Sequence, residues 1–194
     1  MSDVTGDRCC MALPDGRLIS LLEPDPRLIR LADIALGLSV QVRWGGFGRR
    51  RITVAEHSVL AAQAALYRSL GPETAAKALL HDAHEFLLRD LGPSMKHLLP
   101  GYVEACQRLQ RAIEAALGVQ PPTAAQAAEI KRIDWGLQLL EIRDGYAPAV
   151  DLGLERVCIE NLPGIVGFDQ EGARWAFLAQ AEALGVGSMP SVQG

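Results

Sequence analysis

The chain has 194 residues, 49% of them hydrophobic and 22% charged, which suits one globular domain long enough to bury a core. A formal net charge of -4 argues against a protein that grips DNA or RNA through a general basic field. No apolar run reaches the roughly 18 residues of a spanning helix, so no membrane partner is expected.

Aromatics make up only 5%, so the core is mostly Ala and Leu, residues that lose little rotamer freedom in a helix. In chain order, the first thirty residues carry Pro14, Gly16, Pro24 and Pro26, and GRLISLLEPDP reads as a short extended piece. LIRLADIALGLS sets Leu28, Leu31, Ala32, Ala35 and Leu36 at helical spacing and predicts a short helix ending near Gly37 or Ser39. RWGGFGRRR, with three glycines in four residues, predicts a loop. TVAEHSVLAAQAALYRSLG predicts a helix opened by a capping box of Thr53 and Glu56 and closed by Gly71. Pro72 opens the next helix, PETAAKALLHDAHEFLL, which RDLGPSMKHLLPG then breaks. YVEACQRLQRAIEAALG is amphipathic and stops at Gly118; a long helix capped by Thr123 runs to Gly145 and Pro148. A looser segment passes through Pro163 and Gly167, and a last helix covers about Asp169 to Leu184 before the GSMPSVQG tail. Without repeats or a linker, the expectation is one all-α domain over 1–194, with its core at about 21–185.

Cys9, Cys10, Cys106 and Cys158 form no C-x-x-C pair and do not read as a disulfide framework. MSDVTGDRCC lacks the basic start and apolar stretch of a signal peptide. A reduced, cytoplasmic protein is expected.

The chemistry concentrates in LLHDAHEFLLRD, which sinks His81, Asp82, His84, Glu85 and Asp90 among apolar residues. His57 shares a helix face with Leu60, Ala61 and Ala64, and is either a core histidine or a ligand. Asp134 lies in the stripe of Ile130, Ile133, Leu137 and Leu140, where a carboxylate needs a cation or a salt bridge, to Arg132 or Arg143. On a helix the adjacent His81 and Asp82 diverge by about 100°, so one ion takes both only over the edge between them. Together His57, His81, Asp82 and Asp134 make a mixed nitrogen and oxygen set that suits octahedral Mn, Fe, Co, Ni or Mg better than structural zinc. Four protein ligands on an octahedral ion leave two positions, one for water and one for a substrate oxygen, the arrangement of metal-assisted hydrolysis. HDAHE is not a zinc-protease H-E-x-x-H, no G-x-S-x-G elbow occurs, and GGFGRRR lacks the G-K-[ST] ending of a P-loop.

His57, then His81-Asp82, then Asp134 resembles the H…HD…D signature of the HD-domain metal-dependent phosphohydrolases. Arg43-Trp44, Val54 to Ser58 (VAEHS), Glu85, Asp90 and Pro93 to Lys96 resemble the 5'-deoxynucleotidase branch of that family. The likeness runs from about Leu21 to Asp144. It implies an all-α helix bundle around one metal, held by His57, His81, Asp82 and Asp134. It implies hydrolysis of a nucleotide phosphate ester, with Glu85, and with it Asp90, orienting or deprotonating the attacking water. Arg43 and Lys96 would hold the phosphate, and Trp44 would pack on the sugar and disfavour a 2'-hydroxyl. The expected substrate is a small deoxynucleotide, first a monophosphate. The alternative is a deoxynucleoside triphosphate, for which Arg49, Arg50 and Arg51 would supply extra positive charge. A nucleotide-binding regulator without activity is the reading of another class. Family members assemble as homo-oligomers, so a dimer or larger is expected. His84, between the HD pair and Glu85, departs from the pattern.

Overall fold

The computed structural model describes residues 9–96, 98–99, 101–145 and 162–187. His97, Pro148, Cys158 and the tail beyond Gly187 lie outside the described residues.

A small antiparallel hairpin comes first, β1 (Cys10–Ala12) paired with β2 (Leu18–Ser20), with Met11 opposite Ile19. The extended piece expected in GRLISLLEPDP is thus β2, and β1 is its partner. Among the described residues eight α-helices follow: α1 (Leu31–Val40), α2 (Val54–Tyr67), α3 (Gly71–Leu79), α4 (Glu85–Leu88), α5 (Pro93–Lys96), α6 (Tyr102–Leu117), α7 (Ala124–Gly145) and α8 (Gln170–Ala183). Apart from the hairpin the architecture is helix packed on helix, so the all-α expectation holds. No described helix is long and apolar enough to cross a membrane.

α2 is the central element. Val54 to Leu60 and most of its later residues are buried, as befits a helix apolar all round. Its alanines let α3, α7 and α8 approach closely. One apolar cluster joins Ile34, Leu38, Leu79, Phe86, Ile113 and Phe177, linking the hairpin with α1, α4, α6 and α8. A second joins Leu60, Ala64, Ala75, Ile133 and Leu137 between α2, α3 and α7.

Four sequence expectations are corrected, each for a physical reason. Of the two ends expected for α1, Ser39 holds to within a residue, the helix running to Val40, and Gly37 does not. It lies mid-helix because α4 passes over it, and a Cβ there would sit 2.8 Å from the Phe86 carbonyl oxygen. Glu56 makes only half of the capping box. Thr53 Oγ1 accepts from Glu56 N at 3.1 Å, but the Glu56 carboxylate turns away to accept from the backbone N–H groups of Val166, Gly167 and Phe168 at 2.8, 2.8 and 3.1 Å. Gly71 does take a left-handed φ (85°), but as the first residue of α3, and Ser69 takes the left-handed conformation nearer the end of α2 (φ 57°). The helix from Pro72 through Leu88 is not continuous. The Ala78 carbonyl accepts from both His81 N and His81 Nδ1, taking the acceptor that a regular helix would offer to Asp82 N. Residues 80–86 then tighten into i to i+3 hydrogen bonds, Ala83 N to Leu80 O, Glu85 N to Asp82 O and Phe86 N to Ala83 O. The reciprocal capping box appears instead at Thr123 and Gln126, which opens α7.

Candidate metal centre

The broken turn carries His81 and Asp82 to the faces of α2 and α7, where His57 and Asp134 wait. One donor atom from each of His57, His81, Asp82 and Asp134 lies within 4.8 Å of the others. Asp82 Oδ2 is 3.1 Å from His81 Nε2, and Asp134 Oδ1 is 3.3 Å from His57 Nε2.

The hydrogen bonds behind these ligands fix their chemistry. His57 Nδ1 meets Glu141 Oε1 at 2.7 Å, and His81 Nδ1 meets the Ala78 carbonyl at 2.7 Å. Both outer partners only accept, so both rings carry their proton on Nδ1. Both Nε2 atoms then point inward and stand 3.3 Å apart. Two imidazole Nε2 atoms and two carboxylates facing one point need protons or a cation between them. Such donors, two imidazole nitrogens and two carboxylate oxygens, fit a divalent first-row ion or Mg. The same crowding shifts the titrations. Burial opposes the charge on His81, but Asp82 and Asp134 outweigh it and raise its pKa well above the usual histidine value. Burial also opposes the Asp134 carboxylate, and the two histidines still hold it well below the usual range.

The alternative salt bridges of Asp134 are not those considered from the sequence. Arg132 pairs with Glu129 and Arg143 with Asp144. Asp134 instead accepts from Gln138 Nε2 at 2.8 Å and lies 3.4 Å from Lys131 Nζ.

A cavity of about 550 Å³ opens over this floor, lined among others by Arg43, Trp44, Asp82, Glu85, Asp90, Lys96 and Asp134. All the site residues expected from the sequence converge here except Arg49 and Arg50. Those two are exposed and do not line it, and Arg50 Nη1 donates to the Ile165 carbonyl. Arg51 is likewise exposed. Glu85 is buried to 1% exposure, and its Oε1 lies 3.6 Å from Lys96 Nζ rather than beside Arg89. Burial, then the charges of Asp82 and Asp90, push its pKa up to about 9 against the pull of Lys96 and Arg43. Asp90 sits 4.0 Å from Arg43 Nη1.

Two residues at or beside the cavity wall have a left-handed backbone. Trp44 has φ 59° and Arg89 has φ 76°, values unusual for side chains of that bulk. Tyr102 Oη holds Arg89 by donating to its carbonyl at 2.8 Å. Trp44 is held by its indole N–H, which donates to Glu141 Oε2 at 2.8 Å, and Arg43 Nε donates to the same oxygen at 2.8 Å.

The sequence reading missed Glu141, Gln138 and Gln41. Glu141 lies two helical turns beyond Asp134 on the same buried stripe, a spacing that was visible. Gln138, one turn beyond Asp134, was visible in the same way. Gln41 had no local signal. Its side-chain amide donates to the Glu85 carbonyl and accepts from Asp90 N at 2.9 Å, setting the two carboxylate-bearing residues in register.

Compared with known proteins, no family model matches the chain. It is 37% identical over 130 residues to an uncharacterized protein of Rhodobacter capsulatus, covering 64% of this chain and 65% of that protein. It is 31% identical over 116 residues to the uncharacterized protein YfdR of Escherichia coli, covering 60% of this chain and 61% of YfdR. The match thus spans less than two thirds of the length of these relatives. The structure is that of a helical protein whose buried His and Asp cluster can bind a metal ion, an arrangement compatible with an HD domain.

Proposed function

We propose that the chain is an HD-type, divalent-metal-dependent phosphohydrolase that cleaves a deoxynucleoside monophosphate to nucleoside and orthophosphate. The observation that carries this reading is the pair of imidazole Nε2 atoms converging with two carboxylates at the floor of a cavity that also holds carboxylates and cations. His57, His81, Asp82 and Asp134 would hold the ion. A bound divalent ion supplies Lewis acidity and an acidified water.

The rest of the work falls to the chain's own side chains. Lys96, partly exposed on the cavity wall, offers the phosphate a point charge. Arg43 is pinned by Glu141 through Nε, which leaves its Nη groups directed toward Asp82, Asp90 and the cavity. Glu85 and Asp90 would exchange a proton with a water above the ligands. Trp44 forms an apolar wall against which a ribose 2'-hydroxyl would lose its hydrogen bond.

Monophosphate is preferred to triphosphate because Arg49 and Arg50 stand outside the cavity. Its lining cations among the described residues are Arg43, Lys96 and Lys131, faced by four carboxylates. The test is product identification by chromatography after incubating Mn²⁺- or Co²⁺-loaded protein with all dNMPs, dNTPs and their ribo-counterparts. Nucleoside and orthophosphate from dNMPs is the expected result. Nucleoside and triphosphate from a dNTP would replace the substrate assignment. Metal and nucleotide bound without turnover would replace the enzyme reading with a regulatory one.

A further inference from the structure

We propose that the side-chain amide of Gln138 reads the 3'-hydroxyl of the substrate's sugar. The site then selects nucleoside 5'-monophosphates whose 3'-oxygen is free, and rejects 3'-deoxy and 3'-phosphorylated nucleotides. The inference rests on the functional reading above and narrows the substrate class of that same site.

A neighbour fixes the orientation of the amide. Gln138 Nε2 donates to Asp134 Oδ1 at 2.8 Å. A carboxylate oxygen only accepts, so the nitrogen is the end on Asp134 and the oxygen is the end turned from it. Gln138 is half-buried and lines the cavity of about 550 Å³, and its oxygen has no hydrogen-bond partner among the described residues.

The described lining offers no equivalent group. Its uncharged side chains with hydrogen-bonding atoms are Trp44 and Gln138, and the Trp44 indole N–H is already taken by Glu141 Oε2. Gln138 therefore supplies a neutral acceptor. An acceptor repels the oxygens of a phosphate and pairs with a hydroxyl or an N–H.

Position along α7 says which donor it meets. Asp134, Gln138 and Glu141 recur at spacings of four and three residues and share one helix face. Asp134 faces the ion position and Glu141 holds Trp44, so Gln138 lies between them. A nucleotide with its phosphate at the ion and its sugar on Trp44 carries its sugar past that amide. In a deoxynucleoside 5'-monophosphate the sugar has one free hydroxyl, on C3', and it donates to Gln138 Oε1. A hydrogen at C3' leaves the amide oxygen unpaired. A 3'-phosphate, or the phosphodiester of an oligonucleotide, brings acceptor against acceptor.

The test is steady-state hydrolysis of dAMP and of its 2',3'-dideoxy and 3'-phosphorylated analogues by Mn²⁺-loaded wild type and Gln138→Met, which keeps the side-chain length without an amide. Wild type is expected to favour dAMP over the dideoxy analogue about 10- to 100-fold in kcat/KM, and to reject the 3'-phosphorylated one. In Gln138→Met the dAMP-to-dideoxy ratio should fall close to one. A loosened Asp134 would slow both substrates alike and leave the ratio where it was, so an unchanged ratio in the variant overturns the proposal. Equal hydrolysis of dAMP and the dideoxy analogue by wild type refutes the role of Gln138 and leaves the functional reading standing. Where no nucleotide turns over, calorimetric binding of the same pair decides. Binding that needs the 3'-hydroxyl in wild type and not in Gln138→Met keeps the subsite and replaces the enzyme reading; binding indifferent to the hydroxyl overturns both.

Discussion

His57 Nδ1 and Glu141 Oε1 are 2.7 Å apart in the centre of the molecule, both side chains fully buried. Through its other oxygen the same carboxylate takes Arg43 and Trp44. One residue on α7 thus sets the ring tautomer of a candidate metal ligand and the position of two cavity-wall residues.

Glu141→Gln tests that relationship. The amide can still accept from His57 but loses the charge that holds Arg43 and makes the imidazole a better donor. We expect Mn²⁺ affinity to fall about 10- to 100-fold with the ligands untouched. A competition titration against a chelator measures it; unchanged affinity would remove Glu141 from the centre.

The same carboxylate gives a signed pH dependence. Burial raises the pKa of Glu141, but Arg43 and His57 outweigh it and hold it at about 2, against an ordinary 4.5. Its contribution to stability is therefore complete above about pH 4.5 and is lost as pH falls toward 2. The shift corresponds to roughly 3 kcal/mol for the chelator-stripped protein. Urea unfolding at pH 6 and pH 3 should show a smaller loss in Glu141→Gln than in wild type. Parallel losses would contradict the assignment.

Gly37→Ala should destabilise the fold although Ala is the better helix former. Its Cβ would meet the Phe86 Cβ and carbonyl oxygen at 2.8 Å, and a backbone atom cannot swing aside as a side-chain tip does. The expected net cost is about 1–3 kcal/mol, with weaker metal binding because the turn bearing Asp82 and Glu85 moves with α4. Urea midpoints and Mn²⁺ affinity, measured together, check both parts.

Glu56→Ala would leave three consecutive backbone N–H groups at 166–168 without their acceptor. The expected loss is about 2–4 kcal/mol in thermal or urea unfolding, since each orphaned donor keeps its desolvation penalty. Glu56→Gln, which keeps one oxygen, should lose less. Equal losses would show that one retained oxygen does not suffice and that the ionised carboxylate is required; no loss in Glu56→Gln would show that the side chain acts through space-filling alone.

Much of this was legible in the sequence. Helix positions followed from apolar spacing, and the four candidate ligands stood out because ionisable groups on apolar stripes need a reason. The failures share one cause, long-range contact. Gly37 reads as a stop until α4 is packed over it. Glu56 reads as a cap until the segment 166–168 arrives to use its carboxylate. LLHDAHEFLL reads as one helix because the competing acceptor demand of His81 Nδ1 depends on the tertiary position of its ring. Arg49 and Arg50 read as anion-binding by charge density, yet the turn at Trp44 and Gly45 directs them away from the cavity.

The most direct test of the central claim is orthophosphate release from a deoxynucleoside monophosphate by chelator-stripped protein as Mn²⁺ or Co²⁺ is restored, for wild type and Asp82→Ala in parallel. The account predicts no release without metal, recovery that saturates with added ion in wild type, and none at any ion concentration in Asp82→Ala. Release that is indifferent to chelator, or full recovery in Asp82→Ala, would contradict it.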